Sequence, residues 1–233
     1  SLVDTYSPLL KFCAHSVNSS DATRYLMSQN RRWSVDVGSP TKHYLNEEDL
    51  LVDSFRLAVS VFDSGFKPDF IVGIWRGGSS IGIYVQECLQ FLGFKTDHIS
   101  IRTSYEGLQS YAETISKPET IRVHGLQYLF ENLNHQDNLL IVDDVFSSGH
   151  NIEAVIRRLT QKCKRNMPAD VRIAVPYYKP TKNQTGRVPD YFLHTTESWL
   201  VLPYELQGLR LEDIELHKPE AAAIVKTALE ATK

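Results

Sequence analysis

The segment at residues 139–151, LLIVDDVFSSGHN, constrains this chain more than any other. Its continuous apolar start predicts a strand buried on both faces, the kind found in parallel sheets covered by helices on either side. That strand delivers two adjacent carboxylates, Asp143 and Asp144, to its carboxyl edge. Side by side and unpaired they repel, and one takes up a proton, unless sugar hydroxyls or a cation-bound ligand faces them. The small-residue turn Ser147-Ser148-Gly149-His150-Asn151 then opens a helix. A helix N-terminus offers unpaired N–H groups and the positive end of the dipole, which together cradle a phosphate. Ser148 and Asn151 add donors, Gly149 lets the backbone approach an anion, and His150 either touches the ligand or faces solvent. A plainer reading also fits: the turn caps the helix and the aspartates are solvated.

The rest of the chain repeats the strand-to-helix pattern. Residues 1–43 predict an N-terminal extension with one or two short helices. Asn46-Glu47-Glu48-Asp49 leads a helix with Leu50, Leu51, Phe55, Ala58, Val59 and Phe62 at helical spacing, ended by Gly65. Residues 70–74 predict a second buried strand, broken by Arg76-Gly77-Gly78-Ser79-Ser80, with a helix over 81–92. Further strands are expected at 98–102, 171–177 and 198–201, helices at 152–164 and 220–232, and a long polar loop over 103–120. This alternation predicts an α/β fold: a mostly parallel twisted sheet flanked by helices, with ligands at the carboxyl ends of its strands. The expected divisions are an extension or hood element at 1–43, the main domain at 44–215 and a C-terminal helix at 216–233.

Bulk properties exclude some functions. The net charge of −3 over 233 residues gives no global basic field for nucleic acid, so any anion site must be local. The basic helix face of Arg157, Arg158, Lys162, Lys164 and Arg165 reads as solvated surface. Cys13, Cys88 and Cys163 lie far apart and predict reduced thiols, and the histidines form no zinc motif. No apolar run approaches the roughly 20 residues of a membrane helix. No signal peptide is evident at the N-terminus, so the expectation is a cytoplasmic protein without membrane partners.

Segment 139–151 resembles the ribose-phosphate signature of the type I phosphoribosyltransferases: an apolar strand, two acids, two residues, then a small turn with glycine. Other segments follow in that family's order. Val72-Gly73-Ile74-Trp75-Arg76-Gly77-Gly78 looks like its pyrophosphate loop, where the bond before the cation is often cis; here that bond is Trp75–Arg76. Glycine N–H groups and a fixed cation suit a diphosphate. Arg102-Thr103-Ser104-Tyr105 begins a stretch similar to the mobile catalytic loop, which excludes water from an oxocarbenium-like ribosyl centre. Lys179 and Trp199 match the purine pocket, the lysine donating to the 6-oxo oxygen and the aromatic stacking, with the Leu200 backbone at the 2-position. Glu205 matches an acid associated with a second Mg²⁺, beside the aspartates as metal ligands, and Arg210 is a looser match at the pyrophosphate end.

The resemblance implies Mg²⁺-dependent transfer of ribose 5-phosphate from phosphoribosyl pyrophosphate (PRPP) to N9 of hypoxanthine, guanine or xanthine, as in purine salvage. It also implies a homodimer or homotetramer, and a small hood built from the N- and C-terminal segments. One position departs from the pattern. The hypoxanthine-guanine and xanthine-guanine branch usually opens the phosphate turn with an aspartate thought to handle the proton on purine N7, and here Ser147 stands there. A hydroxyl is a poor general base at neutral pH. A non-catalytic PRPP- or nucleotide-binding regulator, or a transferase for another acceptor, therefore stays open as an alternative.

Overall fold

The computed structural model describes residues 42–105 and 120–231, the side chain of Tyr105 excepted. The expected extension up to residue 41, and the expected loop from 106 to 119, lie outside the described residues. In chain order the first elements are β1 (Lys42–Tyr44), α1 (Glu47–Asp63), β2 (Phe70–Trp75), α2 (Gly77–Phe91), β3 (Asp97–Tyr105), β4 (Ile121–His124) and α3 (Gln127–Asn132). They are followed by β5 (Asn138–Val142), β6 (Val145–Phe146), α4 (His150–Cys163), β7 (Asp170–Tyr178), β8 (Tyr191–Thr195), β9 (Trp199–Val201), α5 (Leu211–His217) and α6 (Pro219–Glu230).

The central sheet runs β4-β3-β2-β5-β7-β8, and β6 pairs with the last two residues of β7. Every pairing in it is parallel except β3 with β4. Its middle strands read as unbroken apolar runs because both faces are covered. Val72, Leu139, Ile141, Ile173 and Val175 pack under Ile152, Val155 and Leu159 of α4. Ile71, Leu140, Val142 and Ala174 pack under Leu50, Leu57 and Val61 of α1 and Ile81, Val85 and Leu89 of α2. Removing a side chain such as Leu140 from this doubly covered layer costs about 2–5 kcal/mol. The expected mostly parallel α/β fold is the one observed. No helix among the described residues is long and apolar enough to cross a membrane.

Several boundaries differ from the sequence reading. The helix expected from residue 81 begins at Gly77, because tertiary packing of the two glycines overrides their weak helix propensity. The expected loop from 103 begins as strand: β3 runs to Tyr105 and its polar end, Arg102 to Tyr105, pairs antiparallel with the short edge strand β4. On α1, Phe55 and Val59 face solvent while Asp53 and Ser54 are buried. The burial is satisfied: Ser54 Oγ donates to the Leu50 carbonyl, and Asp53 meets Arg56 and His194. The strand at 199–201 does not join the central sheet; it pairs with β1 in a separate two-stranded parallel sheet. Beneath that small sheet sit Leu45, Tyr177, Leu200 and Leu202. The C-terminal segment forms two helices that meet at Lys218, and α5 spans the expected boundary at 215/216.

Candidate active site

β2, β5 and β7 are parallel neighbours, so the residues that follow each strand come out along one edge. After β2, the Trp75–Arg76 bond is cis, as the resemblance implies. Gly77 then brings α2 directly against the diacid that follows β5. A Cβ on Gly77 would fall inside contact distance of Asp144 Oδ2, and one on Gly78 would meet the Val142 carbonyl. Only glycine lets the helix start approach this closely.

Asp143 is almost fully buried, and Asp144 is half-buried. The Asp144 N–H donates to Asp143 Oδ1 at 3.0 Å. Burial, reinforced by the Asp144 charge, holds the Asp143 carboxyl well above the ordinary carboxylate range. Burial also raises Asp144, opposed by hydrogen bonds from Tyr204 and the Val145 backbone. Such a pair favours a cation or hydroxyl donors. Among the described residues, no group of three or more His, Cys, Asp or Glu side chains could hold a metal ion by itself. Two adjacent carboxylates, one buried and one half-buried, fit a hard cation with further oxygen ligands, as Mg²⁺ on a diphosphate has.

Residues 202–205 close this corner. Tyr204 Oη donates to Asp144 Oδ2 at 2.7 Å, and the Arg76 guanidinium stacks 5.3 Å from the Tyr204 ring centre. Glu205 Oε1 pairs with Arg76 Nη2 at 2.9 Å, and its Oε2 accepts from the Leu202 N–H at 3.1 Å. The expected Trp75–Gly78, Asp143–Asp144 and Glu205 sets are thus brought together, with Tyr204 as a link the sequence reading did not assign. Its nearest sequence signal was its place beside Glu205.

The turn expected to cradle phosphate caps α4. Gly149 sits at φ 81°, the left-handed region that favours glycine, and accepts the first helical bond from the Glu153 N–H. Ser148 Oγ accepts weakly from the His150 N–H at 3.4 Å, and its carbonyl accepts from the Gln184 N–H. The His150 ring lies 3.1 Å from Gln184 Oε1. Ser147 and Asn151 are half-buried beside them.

Lys179 follows β7. Its N–H donates to the Phe146 carbonyl, and its ammonium donates to the Ser198 carbonyl at 2.7 Å, next to Trp199. Burial pushes the Lys179 pKa down. Trp199 begins β9 with half its surface exposed, while Leu200 is turned into the core below the small sheet. Ser104 Oγ lies 2.8 Å from His124 Nε2 across the β3–β4 pair. The side chain of Tyr105 lies outside the described residues. Arg210 pairs with Asp213, which Lys42 also contacts. The Arg210 and Lys42 hydrogen bonds pull the Asp213 carboxyl down to about 2. The structure thus ties the loosest of the expected site residues into the start of α5.

Residues 40–207 match the phosphoribosyl transferase domain family, and the chain belongs to that family. Its fold is similar to a purine phosphoribosyltransferase from Pyrococcus horikoshii Ot3, at 27% identity and a TM-score of 0.52, over 72% of this chain and 97% of that one. A Neisseria gonorrhoeae protein with bound ppGpp matches at 20% identity and a TM-score of 0.58, over 80% of this chain and 98% of that one. The xanthine-guanine-hypoxanthine phosphoribosyltransferase of Helicobacter pylori matches at 18% identity and a TM-score of 0.53, over 77% and 100%. These last two likenesses are of fold. No curated protein sequence matches the chain. The expectation of a phosphoribosyltransferase similar to the purine enzymes therefore holds.

Proposed function

We propose that this phosphoribosyltransferase transfers ribose 5-phosphate from PRPP to N9 of a 6-oxopurine, releasing pyrophosphate. One observation carries the reading: the start of α2 is lodged against the diacid, with glycine at the contact and Arg76 beside it. That arrangement sets diphosphate donors next to acceptors for ribose hydroxyls. In this reading Arg76 and the N–H groups of Gly77 and Gly78 hold the leaving diphosphate. Asp143 and Asp144 hold the ribose hydroxyls, and the turn from Ser147 to Asn151 holds the 5′-phosphate. Mg²⁺ bound with PRPP would neutralise the diphosphate charge. Asp143, Asp144 and Glu205 would be the carboxylates that hold it.

Lys179 supports the purine side. A half-buried ammonium with a lowered pKa, held by one backbone carbonyl beside an exposed tryptophan, suits a ring that carries an oxo group and a π-face. The chain's contribution is orientation, electrostatic stabilisation and exclusion of water. Ser147 offers a hydroxyl where a carboxylate would accept the N7 proton, so in this reading that proton passes to solvent. A homodimer or homotetramer, a cytoplasmic location and a place in purine salvage belong to the same proposal.

The test is turnover by the full chain with PRPP, Mg²⁺ and hypoxanthine, guanine or xanthine, followed by chromatography of the nucleotide product. A 6-oxopurine mononucleotide with equimolar pyrophosphate is expected, and its formation should stop when the metal is chelated. No product from any of these bases, or product only with a different acceptor, overturns the reading.

A further inference from the structure

The corner that binds Arg76 and Asp144 is itself held from behind. The Lys218 ammonium donates to the carbonyls of Leu202, Pro203 and Glu205, each at 2.7 Å. An ammonium has three donors and no acceptor, so all its capacity is spent on this one turn. The turn's own bonds are few: the Glu205 N–H donates to the Leu202 carbonyl at 3.0 Å, the Leu202 N–H donates to Glu205 Oε2, and Pro203 has no N–H at all. The same four residues project Tyr204 onto Asp144 and Glu205 onto Arg76.

The Lys218 backbone is fixed independently of its side chain. Its N–H donates to the Ile214 carbonyl at the end of α5, and its carbonyl accepts from the Ala222 N–H in α6. Ile214 and Ala222 are both buried. The joint between the two C-terminal helices is therefore an anchored mount for a single cation. Its three hydrogen-bond acceptors are all backbone carbonyls. A surface ion pair would tolerate loss of its cation with little cost, but removing this one takes a charged donor from three converging carbonyls and leaves the turn only the Glu205 N–H to Leu202 bond and the Leu202 N–H to Glu205 carboxylate bond.

We propose that Lys218 is a positioning residue of the candidate active site, setting the 202–205 turn so that Tyr204 and Glu205 hold Asp144 and Arg76 ready for the diphosphate end of the substrate. This rests on the function proposed above for the substrate's identity, though not for the role within the fold. It gives the C-terminal helices a part in the site: they carry the cation to the turn.

The experiment compares full-length wild type with Lys218→Met, which keeps the aliphatic stem, and Lys218→Arg, which keeps cationic donors. In Lys218→Met, amide hydrogen exchange at Leu202 and Glu205 is expected to speed up by about tenfold. The KM for PRPP should rise by about tenfold while the KM for the purine stays within about twofold. Lys218→Arg should recover most of both effects. Unchanged exchange at Leu202 and Glu205 overturns the assignment whatever the substrate proves to be. A parallel rise in both KM values also overturns it, because that is what general loosening of the fold would give. The exchange measurement needs no substrate. A chain that fails to turn over PRPP but shows faster exchange in Lys218→Met would keep this role and lose only the proposed reaction.

Discussion

The two halves of the candidate site are built on different principles. The half proposed for the diphosphate is made by close approach: glycine backbone against Asp144, on strands in the middle of a sheet covered on both faces. The half proposed for the base is made by long-range pairing: Lys179 beyond β7, and Trp199 on a small sheet that joins β9 to β1. The first has no room for a methyl group, whereas the second leaves Trp199 half exposed. The contrast teaches that, on the proposed function, charge would be handled where geometry is stiffest and discrimination among bases would fall to a part with more freedom to vary.

The sharpest way to break this comparison is Gly77→Ala. The added Cβ collides with Asp144, and displacement of about 1 Å at such a site costs about a hundredfold in kcat/KM. Steady-state kinetics with PRPP varied would measure it, and near-normal activity would mean that the close approach is not needed. Next comes Lys179→Met, expected to raise the purine KM about tenfold or more, as for loss of a charged hydrogen bond, with the PRPP KM little changed. The pH dependence follows from the same residue. Burial lowers the Lys179 pKa, so the ammonium is present at low pH and purine affinity is lost as pH rises through a value below that of an ordinary lysine. A purine KM that is flat with pH up to the ordinary lysine range would contradict the placement of the base.

Ser147→Asp tests the junction between the halves. A carboxylate at the head of the phosphate turn should raise kcat about tenfold if N7 proton transfer limits the rate. Pre-steady-state measurement of nucleotide formation would show whether the gain lies in chemistry or in product release. The smallest expected effect is Tyr204→Phe. Loss of one hydrogen bond to Asp144 costs about 1 kcal/mol, or about fivefold in kcat/KM for PRPP, without altering the choice among bases.

The same division explains what the sequence could reveal. The diphosphate half is written in contiguous segments: a run such as LLIVDD contains its own strand and acids, and Trp75 to Gly78 contains its own turn. The doubly buried strands were legible because nothing but apolar residues can fill them. β4, β8, α3 and α5 were not, because each is too short for a repeating pattern to show. The glycine start of α2 runs against local propensity, so the sequence alone predicts a break there. The pairing of β9 with β1, the link from Tyr204 to Asp144 and the carbonyls gathered by Lys218 depend on residues far apart in the chain. Nothing local at Lys218 hints at them beyond the proline that follows it.

The parallel pairing of β1 with β9 has a consequence for the order in which the molecule is made. β1 is the first strand described to leave the ribosome, and its partner is the last. The contact between Lys42 and Asp213 spans 171 positions of sequence. The strands that carry the diacid and the phosphate turn can pair as soon as they emerge, while β1 must wait for nearly the whole chain. Closing so distant a pair is entropically costly and slow. The strands that carry the diacid can therefore assemble before the small sheet beside Trp199, which closes only once β9 is available to pair with β1.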